Sequence, residues 1–179
     1  GNNALDAVTT TSYNTAVGHT ALSACTDNYN TAVGHQALMS SVGGSSNVAV
    51  GNAAGAYLTS GNQNTAVGAT ALDAVVTAAN NVAVGYGALG VDTSGAENTA
   101  IGSYALDANT TAHYNVAVGM HSMGGNQTGH SNVAVGTNAM LVCTDSTHCT
   151  AVGMDSLKAL ETANENTAIG YLAANATTS

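Results

Sequence analysis

Proline, phenylalanine and tryptophan are missing altogether from the 179 residues, and charged side chains make up only 6% of them. Ordinary globular domains carry about a quarter charged residues, so this composition argues against a conventional enzyme domain. Disorder is disfavoured too. Disordered chains combine low hydrophobicity with many charges, whereas here Val, Ala and Leu fall at fixed positions. Lys158 is the single basic residue against ten acids, for a formal charge of −9. A chain with no basic surface cannot neutralise phosphates, which argues against nucleic acid and anionic membranes as partners. No apolar run approaches the roughly 20 residues of a membrane span, so no membrane insertion is expected, and no signal peptide is visible. The chain begins at Gly1 rather than Met and stops in mid-repeat at Ser179, which reads as a mature product or a piece of a longer fibre.

What is present is a repeat. An Asn-Thr/Val-Ala-Val/Ile-Gly unit, two variable residues, then Ala or Ser and usually Leu or Met recurs ten times, nearly always 17 residues apart. Its glycines are Gly18, Gly34, Gly51, Gly68, Gly85, Gly102, Gly119, Gly136, Gly153 and Gly170, with Gly1 one period earlier; only the step from Gly18 to Gly34 is one residue short. So strict a period implies a stack of equivalent coils. The expected fold is all-β, a parallel β-solenoid or β-roll of about ten 17-residue coils, in one repeat domain spanning 1–179 with no second domain.

Counting from the repeat glycine as zero, positions −3 to −1 read Thr15-Ala16-Val17, Val48-Ala49-Val50 or Thr99-Ala100-Ile101. β-Branched residues in alternation with Ala predict a short strand, with −3 and −1 on one face and −2 and the glycine on the other. Neither face is polar, which predicts burial on both. The chain then turns and buries again through Ala or Ser at +3 and Leu or Met at +4. The Thr-, Ser-, Asn-, Gly- and Asp-rich stretch from +5 to −5 is expected to face solvent. Gly44, Gly61, Gly95 and Gly129 share +10, where a bend calls for a small residue. One coil buries too little apolar surface to offset the entropy of ordering its backbone, so stacking, and packing against other chains, has to supply the rest. A trimer of parallel β-rolls is the favoured assembly, with a single-chain solenoid as the alternative.

Asn fills position −4 in nine of the ten repeats: Asn14, Asn30, Asn47, Asn64, Asn81, Asn98, Asn115, Asn132 and Asn166, with Cys149 in the tenth. Stacked asparagines form amide ladders along a fibre axis, although each could equally serve local turn geometry. Cys143 and Cys149 are close enough in one loop for a disulfide, with buried thiols as the alternative; Cys25 lies too many coils away to bridge to Cys143. Asn109, Asn126 and Asn175 each begin an Asn-x-Thr triplet, the acceptor pattern for N-glycosylation, and the run from Thr9 to Ser12 is a weaker O-glycan candidate.

Chemistry is sparse. His19 and His35 share +1, and His113 and His130 share −6, so each pair is expected to stack about 5 Å apart; exposed turn histidines need no metal, and no carboxylates gather beside them. The acids are scattered, no glycine-rich calcium repeat is present, and no Gly-x-Ser-x-Gly elbow points to a nucleophile. No catalytic residue, metal or cofactor is expected, and the chain is read as a non-enzyme.

The units NTAVGHTAL, NTAVGHQAL, NTAVGATAL and NTAIGSYAL, with arms such as DANTTAHY closing the period, resemble the repeats of bacteriophage tail-fibre and related fibre proteins. More distantly they are similar to the head repeats of trimeric autotransporter adhesins. The resemblance covers the whole chain and implies an extracellular or virion-surface fibre, usually trimeric, acting as shaft or adhesive surface. The expected function is a structural fibre module whose partners are further copies of itself, as a trimer and as an end-to-end filament. An adhesive module for surface glycans, with Tyr13, Tyr29 and Tyr114 at −5 as contacts, is the alternative. A weaker one is ice binding through the Thr row at −3.

Overall fold

The computed structural model describes residues 1–7, 12–74, 77–159, 161–162 and 164–175. Ten strands of three residues follow one another: β1 (Thr15–Val17), β2 (Thr31–Val33), β3 (Val48–Val50), β4 (Thr65–Val67), β5 (Val82–Val84), β6 (Thr99–Ile101), β7 (Val116–Val118), β8 (Val133–Val135), β9 (Thr150–Val152) and β10 (Thr167–Ile169). They form a single sheet in sequence order. Every pair is parallel and in repeat register, as in Thr15 with Thr31 and Val84 with Ile101. The fold is therefore a parallel β-solenoid with the repeat as its coil, and no helix occurs among the described residues.

Backbone pairing extends well beyond the strands. The N–H at +2 donates to the +1 carbonyl of the coil before it, as Gln36 does to His19 at 3.0 Å, and the N–H at +4 donates to the +3 carbonyl of the coil after it, as Leu38 does to Ala54 at 3.0 Å. At −5, Gln63 N–H reaches back to Ser45 O at 3.0 Å. Alternate amides around much of the contour thus point to a neighbouring coil, which satisfies a backbone that the small core could not afford to leave unpaired.

Closing so short a circuit demands unusual dihedrals. Non-glycine residues at +2, +4 and −5 are left-handed in coil after coil, for example Thr70 (φ 53°), Leu72 (φ 56°) and Gln63 (φ 59°). Each such residue costs on the order of 1–2 kcal/mol, offset by the inter-coil bonds and, at +4, by burial of the side chain. The repeat glycine has no alternative. Gly102 lies at φ 136°, and a Cβ there would sit 2.5 Å from the carbonyl oxygen of Gly119 in the next coil.

The interior is a set of columns. Ala at −2 and Leu or Met at +4 are buried along the stack, among them Ala83, Ala100, Leu89, Leu106, Met123 and Met140. One coil exchanges positions: Gly55 occupies +4, and Leu58 at +7 fills the core in its place, buried to 1% exposure. Two expectations need correcting. The strand is buried on one face only; its −3 and −1 side chains point outward and are exposed or half-buried in the single chain. The +5 to −5 arm also turns inward twice, at +7 (Cys25, Ser41, Leu58, Asp92, Asn109, Asn126, Cys143) and at +10 (Gly44, Gly61, Ala78, Gly95, Ala112, Gly129, Ser146).

Candidate functional site

The −4 asparagines are all buried from Asn30 to Asn132, and each grips the next coil at two points. The Oδ1 of Asn81 accepts from the N–H of Asn98 at 2.9 Å, while its Nδ2 donates to the carbonyl of Gly95 at 2.8 Å. The same pair of bonds recurs for Asn30, Asn47, Asn64, Asn98, Asn115 and Asn132, and the +10 carbonyl is the acceptor in each. At the ends, Asn14 accepts from Asn30 N–H at 2.8 Å and donates to Asp27 O, and Asn166 donates its N–H to Cys149 Sγ at 3.4 Å. These positions join one coil to the next.

No bond joins Cys143 to Cys149: both are buried thiols, as is Cys25. Cys143 belongs to the +7 column and lies 3.8 Å from Asn126 Oδ1, whereas Cys149 replaces Asn in the −4 column and donates its N–H to Asn132 Oδ1 at 2.9 Å. Two different interior columns hold the two sulfurs, and burial pushes the Cys143 thiol pKa up. Two of the three glycan-acceptor asparagines face inward, not outward as the arm position suggests. Asn109 and Asn126 are both at 0% exposure, and their Nδ2 groups donate to Ala112 O at 3.4 Å and Gly129 O at 3.0 Å. An amide committed to the interior in this way is closed to a glycosylating enzyme once the coil has folded. Asn175 is half-buried, but Ala176 and Thr177 of its triplet lie outside the described residues, as do Thr9, Thr10 and Thr11.

Aromatic side chains decorate the outside. Tyr13 and Tyr29 stack at 5.1 Å with their planes 4° apart, and His19 stacks on His35 at 5.3 Å. His130 meets His148 edge-on at 5.5 Å instead of stacking on His113, and His113 Nδ1 accepts from Ala96 N–H at 2.9 Å. Tyr104 stacks on His121 and receives the edge of Tyr86. Beside it a surface notch of about 230 Å³ opens where Gly87 and Gly90 leave room between Thr70, Asp73, Val91, Tyr104 and Asp107. Burial raises the pKa of Asp73 and Asp107. Asp155 is shifted the opposite way by the Lys158 ammonium, which it meets at 2.9 Å. Among the described residues no three His, Cys, Asp or Glu side chains converge as metal ligands.

The outward strand face is the largest uniform feature. All ten −1 positions are Val or Ile; at −3 there are six Thr (15, 31, 65, 99, 150, 167) and four Val (48, 82, 116, 133). None of these twenty side chains is charged, and Ile101 at 40% and Val50 at 38% exposure are typical of the more open −1 positions. Nine steps of about 4.8 Å make the row about 43 Å long. With a width of about 10 Å it covers on the order of 400 Å², the size of the largest apolar patches that monomers carry, and such patches often serve interactions. Met120, Met154 and Tyr171 at +1 extend the exposed apolar surface along one flank. Sequence alternation identified these residues as one face; only the coil's closure reveals that it is the outer one. No family model, curated protein or solved structure matches the chain.

Proposed function

We propose that the chain is a structural rod module of an extracellular or virion-surface fibre, and that it assembles with further copies of itself through the Val/Ile/Thr face. The observation that carries this reading is the chemistry of the face: twenty β-branched, uncharged positions in strict register on a chain of net charge −9. A surface that needed only hydration would carry the polar and charged residues found elsewhere on the coil. A single flat pairing would bury about 400 Å² per chain, half of what a standard interface uses. Three chains around an axis let each face meet two neighbours and bring the +1 column into contact, so three is the favoured number. Replacing Val50, Val67 and Ile101 together by Lys tests the reading. Sedimentation mass should fall from three chains to one while the β-sheet circular dichroism is retained; an unchanged mass would sink the proposal.

A second reading draws on the Tyr13–Tyr29 stack. Tyr13 is 76% exposed, and two parallel rings 5.1 Å apart offer an aromatic platform of the kind sugars dock on. Tyr114 shares the column position but stands apart from that pair, tilted against His113. Glycan binding that survives Tyr13→Ala and Tyr29→Ala would defeat this reading. Ice binding would compete for the same Val/Ile/Thr face. The Thr row is open in the single chain but is interrupted by Val48, Val82, Val116 and Val133, and a chain that shows no thermal hysteresis removes that use.

A further inference from the structure

Asp92 is a carboxylate inside the coil. It occupies +7 at 0% exposure. Its Oδ1 accepts from the N–H of Gly95 at 2.7 Å, and its Oδ2 has no hydrogen-bond partner among the described residues. Above it, a chain of buried polar side chains runs through the +7 column in one direction. Cys143 Sγ approaches Asn126 Oδ1 at 3.8 Å and Asn126 Nδ2 donates to Asn109 Oδ1 at 3.3 Å, while Asn109 Nδ2 donates to Ala112 O at 3.4 Å.

Elsewhere +7 carries neutral side chains, such as Ser41 and Leu58. An ionised carboxylate with one unpartnered oxygen in the buried interior costs far more than the neutral acid. Burial accordingly pushes the Asp92 pKa up to about 7, against smaller lowering contributions from the amides of Gly95, Ser94 and Thr93 and from Asn109. No cation faces it. The ionisable groups on its own and the flanking coils are half-buried Asp73 and Asp107 at +5, exposed Glu97, and His113, whose Nδ1 accepts from Ala96 N–H on the coil of Asp92.

We propose that Asp92 makes the rod proton-sensitive at one coil: with its carboxyl neutral the coil of Gly85 stays firmly closed, and with the carboxyl ionised that coil opens more readily. The sign follows from linkage. A carboxyl that binds its proton more tightly in the folded coil than in the opened one lends stability that is complete below the ordinary carboxylate range. That stability is lost as the pH rises through neutrality. The device is independent of how many chains surround the axis.

Hydrogen exchange by NMR tests it through the amide of Gly95, which Asp92 itself accepts. After correction for the intrinsic exchange rate, the opening equilibrium at Gly95 should rise about thirty-fold between about pH 5.5 and pH 8, the change expected for one proton held with the Asp92 shift. In Asp92→Asn the rise should vanish. Should that variant fold poorly, Asp92→Ser places at +7 a residue that Ser41 shows the column accepts, and it should likewise be flat. Asp73→Asn and Asp107→Asn should keep the full rise. A wild-type opening constant that does not change with pH, a rise that persists in either Asp92 variant, or one abolished by Asp73→Asn or Asp107→Asn would overturn the assignment.

Discussion

Two interior columns run the length of the rod, and they differ in what they can tolerate. The −4 column is Asn in all but one coil, and each member bonds forward to the next coil through both ends of its amide. The +7 column holds Cys, Ser, Leu, Asp and Asn in different coils, and its polar members mainly serve their own turn, as Asp92 does for Gly95 and Asn126 for Gly129. From Asn30 to Cys149 the described members of both columns are equally buried. Repetition therefore follows the number of coils a side chain must satisfy at once, and depth in the core does not set it.

The sharpest way to break the comparison is Asn81→Ala. It strands the buried carbonyl of Gly95 and the N–H of Asn98 together, for about 2–6 kcal/mol at roughly 1–3 per orphaned group, read as a lowered urea midpoint. Leu58→Ala should cost nearly as much, about 2–5 kcal/mol, because it opens a cavity. Gly55→Leu combined with Leu58→Ser should recover most of that loss by restoring the arrangement of the other coils, whereas Gly55→Leu alone overpacks against Leu38, which a bare Cβ at Gly55 would already meet at 2.9 Å. Asn109→Ala removes only one member of the looser column and should cost about 1–2 kcal/mol. The smallest effect is a gain: Cys149→Asn completes the −4 column and should raise stability by about 0.5–1.5 kcal/mol in the same urea titration.

Much of this architecture can be read from spacing alone. Ala at −2, Leu at +4 and Asn at −4 recur with the period because each meets its own copy one coil away, and identical copies leave a periodic trace. What the period hides is direction. Val84 and Thr99 look the same whether a β-branched face is covered by the chain's own core or left outside for another chain, so the strand read as buried on both sides. Asn109 and Asn126 looked like exposed arm residues because their column is variable, and variability in a coil can mean local turn duty as well as solvent. The left-handed conformations of Leu72 and Thr70 were invisible for a different reason. Closure of the circuit imposes them, against the intrinsic preference of both residues.

The outward face carries the proposed assembly, and its most direct test is the cross-section of the native rod by cryo-electron microscopy. Three lobes, with the Val/Ile/Thr rows turned to a common axis, are expected. A single-lobed section with that face open to solvent would show that the chain stands alone and that the face serves something other than self-association.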